Sequence, residues 1–200
     1  MRAAVFDIET TALESVGAGV MLCACVRPTA TGRTRTIRMN FREEWNQTEE
    51  GFLEVEEREL INELVGELAK YDLLIGHNID AFDLPYIRGR AQAHSIPFFL
   101  NPFTYDTMRA WGRVKLRTVN NGFGKPTKSM DMIADFLGID QLKTKIYPRA
   151  HWLNIWGNAI KREEAMLNLI DHCQKDIRMN HQIYDIVLPM DAKGSIKRWM

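Results

Sequence analysis

Two acids near the start of the chain, Asp7 and Glu9, stand two positions apart in the apolar run Ala3-Ala-Val-Phe-Asp-Ile-Glu-Thr-Thr11. If that run is a strand, its side chains alternate and rise about 3.3 Å per residue, which puts both carboxylates on one side, roughly 6 to 7 Å apart at their α-carbons. Oxygen donors so placed suit Mg²⁺ or Mn²⁺. The bland alternative is a strand end whose acids are merely solvated. Two more carboxylates invite the same question. Asp83 follows Gly76-His-Asn-Ile-Asp80 and would lie in the first turn of a helix, where an acid is also favoured by the helix dipole alone. Asp176 lies four residues after His172 in a long helical pattern, so the two share a face.

The elements that must carry these groups follow from periodicity. Residues 3–11, 20–26 and 33–39 read as three strands in an antiparallel meander. Residues 72–75 and 102–106 read as two more. Leu60, Ile61, Leu64, Val65 and Leu68 recur at helical spacing within residues 56–71, opposite a glutamate-rich face. Asp80 is the expected cap of a helix beginning at Ala81, with Pro85 tolerated in its first turn. Ser129 is the expected cap of a helix over 130–137, and Gly138 its end. Residues 162–188 form the long helix.

Two hundred residues, 46% hydrophobic and 26% charged, suffice for one core. We therefore expect one domain over 1–190 and a loose tail over 191–200. No apolar run is long enough to span a membrane and no leader pattern opens the chain, so the expected setting is intracellular. Cys23, Cys25 and Cys173 lack zinc-finger spacing, and the first two would be buried on one strand face. The formal net charge is zero, yet it is unevenly spread. Between residues 41 and 72, ten glutamates and Asp72 outnumber three cations; between 109 and 161, ten lysines and arginines outnumber three aspartates. That basic region holds a Gly-rich loop over 111–128 and an irregular stretch with Lys143, Lys145, Tyr147, Arg149, Trp152 and Trp156. Cations interleaved with aromatics can hold a single strand by phosphate contact and stacking; the tryptophans could equally pack on the core.

Taken together, Phe6-Asp-Ile-Glu-Thr10, Gly76-His-Asn-Ile-Asp-Ala-Phe-Asp-Leu-Pro-Tyr-Ile-Arg-Gly-Arg-Ala91 and His172-Cys-Gln-Lys-Asp176 resemble the three motifs of the DEDD superfamily of 3′–5′ exonucleases. The second motif is most similar to that of the proofreading domain of family B DNA polymerases. The resemblance implies an α/β, ribonuclease-H-like fold with a five-stranded mixed sheet and helices on both faces. It also implies two divalent ions, Mg²⁺ or Mn²⁺. Asp7 would bridge them, Glu9 and Asp176 would hold the one that activates water, and Asp83 would support the other. The substrate implied is nucleic acid with a free 3′ end, single-stranded DNA first, cut to nucleoside monophosphates, with Thr10, Leu13, Asn78 and Phe82 holding the terminal nucleotide. Replication or repair proteins are the implied partners. An RNA-trimming exoribonuclease, or a retired nuclease fold serving as a binding module, are the alternatives. One departure stands out. The superfamily has either Tyr four before the last Asp or His five before it, whereas here His172 is four before. It is either the general base in altered geometry or a solvated bystander. An imidazole, with an ordinary pKa near 6.5, suits proton removal at neutral pH better than a phenol.

Overall fold

The computed structural model of the chain describes residues 1–13, 15, 19–40, 52–98, 100–114, 128–140, 159–191 and 194–199. The acidic connector over 41–51, most of the basic Gly-rich loop and the aromatic stretch over 141–158 lie outside these residues.

The strands are β1 (Ala3–Thr10), β2 (Met21–Pro28), β3 (Arg35–Arg38), β4 (Leu73–Gly76), β5 (Phe103–Asp106) and β6 (Lys197–Arg198). They form one sheet in the order β3-β2-β1-β4-β5-β6. β1 runs antiparallel to β2 and parallel to β4, so the sheet is mixed and its first three strands form the meander the alternation predicts. β5 runs parallel to β4 and antiparallel to β6. The sheet therefore has six strands rather than five. The sixth comes from the stretch expected to be a loose tail, where Trp199 is buried and its ring meets Phe98 edge-on at 5.9 Å. Two residues are too short a run for any periodic signal, which is why β6 escapes a reading of the sequence.

The helices are α1 (Phe52–Leu68), α2 (Asp83–Ala93), α3 (Thr107–Arg113), α4 (Met130–Leu137) and α5 (Ala159–Val187). Hydrogen-bonding partners show which face each covers. Arg35 of β3 pairs with Glu63 and Glu67 of α1, while its neighbour Thr36 accepts from Gln174 of α5. Adjacent strand residues point to opposite faces, so α1 and α5 sandwich the sheet. α2 packs on α1, and α3 and α4 pack on α5. The α1 periodicity is realised as Leu60, Ile61, Leu64 and Leu68, all buried, each contributing roughly 1.5–3 kcal/mol by leaving water. Gly138 ends α4 with φ 68°, the left-handed turn that favours glycine. Among the described residues no helix is long and apolar enough to cross a membrane.

Asp80 does not cap α2. The helix begins at Asp83 after Phe82, with no side-chain cap, because Asp80 is committed elsewhere: it accepts from Arg109 of α3 at 3.1 Å and from Lys197 of β6 at 2.9 Å. These are long-range partners that local sequence does not reveal. The capping role appears instead at Asp106, which ends β5 and accepts from the backbone N–H groups of Met108 and Arg109 to start α3. Ser129 occupies the cap position of α4 without a side-chain hydrogen bond.

Candidate metal centre

β1 delivers Asp7 and Glu9 to the face covered by α5. Both are paired in register with buried cysteines of β2, Asp7 opposite Cys25 and Glu9 opposite Cys23. The two cysteines thus share one buried face, as their spacing predicts. The ladder shifts register between Glu9 and Thr10, an irregularity of the kind that re-aims side chains at a strand end.

α5 meets this strand end with His172, Cys173 and Asp176. The Cys173 thiol donates to the Asp7 main-chain carbonyl at 3.5 Å, and His172 Nε2 lies 3.9 Å from Glu9 Oε1 and 3.7 Å from Asp176 Oδ2. Asp83, the first residue of α2, is 2% exposed, and its Oδ1 has no hydrogen-bond partner. Three elements far apart in sequence therefore bring Asp83 and Asp176 into electrostatic reach of Asp7, with Glu9 reached by Asp7 and Asp176; the ligand atoms of Asp7, Glu9 and Cys173 lie within 4.8 Å of one another, a group that includes neither Asp83 nor Asp176.

The electrostatics are those of a site short of positive charge. Burial pushes the Asp7 carboxyl well above the usual carboxylate range, and the nearby charges of Asp83 and Asp176 push it further. Burial and then Asp7 do the same to Glu9. Burial raises Asp83 to about 7, against the opposing pull of its own and the Ile8 backbone N–H groups. Asp176 is raised by burial and lowered by His172. Clustered carboxylates that resist ionisation without a cation, one of them with a bare buried oxygen, match the needs of an oxygen-coordinated divalent ion. The residues present fit such an ion.

The four residues implied for the terminal nucleotide differ in exposure and in partners. Thr10 is buried, and its hydroxyl donates to the Ala12 carbonyl at 2.7 Å. Leu13 is 84% exposed, an apolar side chain held in solvent just beyond the acids. Asn78 has φ 65°, and its N–H is held by Asp106 Oδ1 at 3.1 Å. Phe82 is half-buried, its ring 5.7 Å from that of Tyr86.

Two supporting groups escape the sequence reading. Asp106 holds Asn78 in its left-handed conformation, and its charge adds to the upward push on Asp83. Its position between a strand and an amphipathic turn is the available signal. The second is a buried ionic network. Glu57 of α1, 0% exposed, accepts from the Met21 N–H at 2.7 Å and from Arg90 Nε at 2.8 Å; its other oxygen takes Arg90 Nη2 and, at 2.6 Å, His94 Nε2. Arg90 Nη1 reaches on to the Ser15 carbonyl at 3.2 Å. Gly89 leaves room for this approach, since a Cβ there would stand 2.4 Å from Ser15 Oγ. The connection between β1 and β2 is thereby fastened to α2, the helix that carries Asp83. The glutamate face of α1 reads as simply solvated, which hides Glu57.

The RNase_H superfamily model matches residues 4–188. The chain is 24% identical over 153 residues to a DNA polymerase of Methanocaldococcus jannaschii, covering 70% of this chain and 9% of that protein. It is 34% identical over 73 residues to a DNA polymerase of Archaeoglobus fulgidus, covering 36% and 9%. The chain thus spans about a tenth of the length of these relatives. Its fold is similar to the family B DNA polymerase of Pyrobaculum calidifontis, with a TM-score of 0.65 at 18% identity, covering 94% of this chain and 25% of that one. A match over nearly the whole described sheet and both of its helical layers, joined to a family B polymerase likeness in fold, places the chain in the RNase H superfamily.

Proposed function

We propose that the chain is a 3′–5′ exonuclease that removes nucleoside monophosphates from single-stranded DNA, with Asp7, Glu9, Asp83 and Asp176 holding two Mg²⁺ or Mn²⁺ ions. The observation that supports this reading is that Asp83 of α2 and Asp176 of α5 come near enough to Asp7 of β1 to raise its carboxyl, with Glu9 raised by Asp7 and Asp176. Bound there, a pair of divalent ions would supply the charge that stabilises the entering and leaving oxygens of phosphodiester hydrolysis. The chain's own groups do the rest. Asp7, shared by the repulsion of Asp83 and Asp176, is the central ligand. His172, partly exposed and set between Glu9 and Asp176, takes the proton of the attacking water at Nε2. Leu13 and Phe82 offer apolar surface to a terminal base, and the Asn78 turn offers polar groups to its sugar. The family B likeness favours DNA over RNA, and a replication or repair protein is the partner that would present the frayed end.

The test is digestion of 5′-labelled single-stranded DNA and RNA side by side, with Mg²⁺, with Mn²⁺ and with chelator. The expected result is a ladder shortening from the 3′ end of DNA, abolished by chelation. Preferential trimming of RNA would transfer the reading to an exoribonuclease. No hydrolysis of either, with oligonucleotide binding retained, would make the chain a binding module.

A further inference from the structure

A sulfur stands among the oxygens of this centre. One carboxylate oxygen of Asp7, one of Glu9 and the Sγ of Cys173 all lie within 4.8 Å of one another. Atoms bound tetrahedrally to Zn²⁺ at its usual bond lengths sit roughly 3.3–3.7 Å apart, so closing the trio on one ion takes about an ångström of side-chain movement. Hard ions such as Mg²⁺ select carboxylates and water and have no use for a thiol; Zn²⁺ and Cd²⁺ prefer one.

We propose that Asp7, Glu9 and Cys173 form a mixed oxygen–sulfur site for a thiophilic divalent cation of the Zn²⁺ class, which competes with the hard ions for the same carboxylates. A second observation points to a cation here. The Asp83 carboxylate, 2% exposed with a bare Oδ1, accepts from the backbone N–H of Ile8, the residue between Asp7 and Glu9, so an unpartnered buried oxygen stands beside this strand end. His172 Nε2 lies 3.9 Å from Glu9 Oε1, so it neighbours one member of the trio and is not counted among the ligands. Binding breaks the Cys173 S–H bond, sends the proton to solvent and forms a sulfur–metal bond; no electrons are transferred. What is given up is the thiol's hydrogen bond to the Asp7 carbonyl at 3.5 Å and its contacts with Cys23 and Cys25; burial, together with those thiols and the Asp7 charge, holds the Cys173 thiol well above its ordinary range, so it is the cation in contact with sulfur that ionises it. Cys23 and Cys25, buried on β2 opposite Glu9 and Asp7, are internal controls.

The binding claim stands apart from the exonuclease reading; only its consequence, inhibition, rests on that reading. The 200-residue chain, stripped with chelator, is titrated with Cd²⁺ while the ultraviolet thiolate-to-cadmium charge-transfer band is followed. The expected result is a saturable band of one thiolate per chain, kept in Cys23→Ser and Cys25→Ser and lost in Cys173→Ser. Should Cys173→Ser fail to fold, Glu9→Gln decides instead, because it leaves every thiol in place and must still weaken the band. No band in the wild type, or a band that survives Cys173→Ser, overturns the proposal. In parallel, Zn²⁺ added over excess Mg²⁺ should inhibit wild-type hydrolysis and inhibit Cys173→Ser less, relative to its own Mg²⁺ rate. An intact band with no hydrolysis in any metal would sink the exonuclease reading alone.

Discussion

His172 and Glu9 face each other across the gap between α5 and β1, Nε2 3.9 Å from Oε1. The imidazole belongs to the helix that supplies Asp176, yet it also approaches the strand that supplies Asp7 and Glu9. A His four before the last acid thus reaches the cluster despite the shift of one residue, which would turn a side chain by about 100° around the helix. His172→Ala should lower turnover by about 10²- to 10⁴-fold, the range for removing a general base, with little loss of oligonucleotide affinity. His172→Tyr should restore part of it. Single-turnover rates and anisotropy titrations on the three proteins separate chemistry from binding, and an unchanged rate in the Ala variant would make His172 a bystander.

Asp7→Asn should abolish hydrolysis while raising the melting temperature of the chelated protein. The substitution removes the proposed shared ligand, and it also removes a carboxyl whose ionisation Asp83 and Asp176 oppose. Thermal melts with and without Mg²⁺ check the second half: the wild type should gain stability from the ion, and the variant should gain less.

The metal-free protein should lose stability as pH rises from about 4 to about 7. Asp83 has a folded pKa of about 7 against an unfolded value near 3.9. Between those limits the folded chain keeps a proton that the unfolded chain has released, so raising the pH favours unfolding. The contribution is fully present below pH 4 and gone above pH 7, on the order of a few kcal/mol. Asp7 and Glu9 are raised in the same sense and steepen the trend. Urea midpoints in chelator at stepped pH measure it; Asp83→Asn should flatten the slope, and saturating Mg²⁺ should suppress it.

Glu57→Ala should destabilise the fold by about 3–5 kcal/mol, the usual result of leaving the partner of a buried ion pair without its counter-charge. Arg90, His94 and the Met21 N–H would all lose the same acceptor. Glu57→Ala combined with Arg90→Met should recover much of that loss, because the uncompensated charge is then gone. Chemical denaturation of the single and double variants gives the coupling directly.

What the sequence discloses here is what lies within a few residues. The Asp7–Glu9 pairing, the shared face of Cys23 and Cys25, the apolar seam of α1 and the Gly138 stop all follow from local period or local backbone demand, and each appears in the structure. Asp80 shows the limit. An acid ahead of a helix reads as a cap, and only the arrival of Arg109 and Lys197 from other elements shows otherwise. The same holds for Cys173, whose neighbours in the chain say nothing of the carboxylates within 4.8 Å of its sulfur, and for Glu57, which looks like one more solvated glutamate until Arg90 folds over it. Asp83 and Asp176 could be linked to the Asp7–Glu9 pair only through the motifs, since no local rule links residue 7 to residue 176.

The placement of β6 sets a schedule for the chain. β5 is complete at Asp106, but the strand that covers its outer side begins at Lys197. During synthesis at about 5–20 residues per second, the intervening stretch of roughly ninety residues takes on the order of 5–20 seconds to emerge. Throughout that interval β5 offers its unpaired backbone to any passing strand, the usual route to mispairing between nascent chains. Its length of four residues limits how firmly a stranger can hold on. The late arrival of Lys197 covers the edge and at the same moment gives Asp80 a second cation beside Arg109, so sealing the sheet also tightens the turn ahead of Asp83.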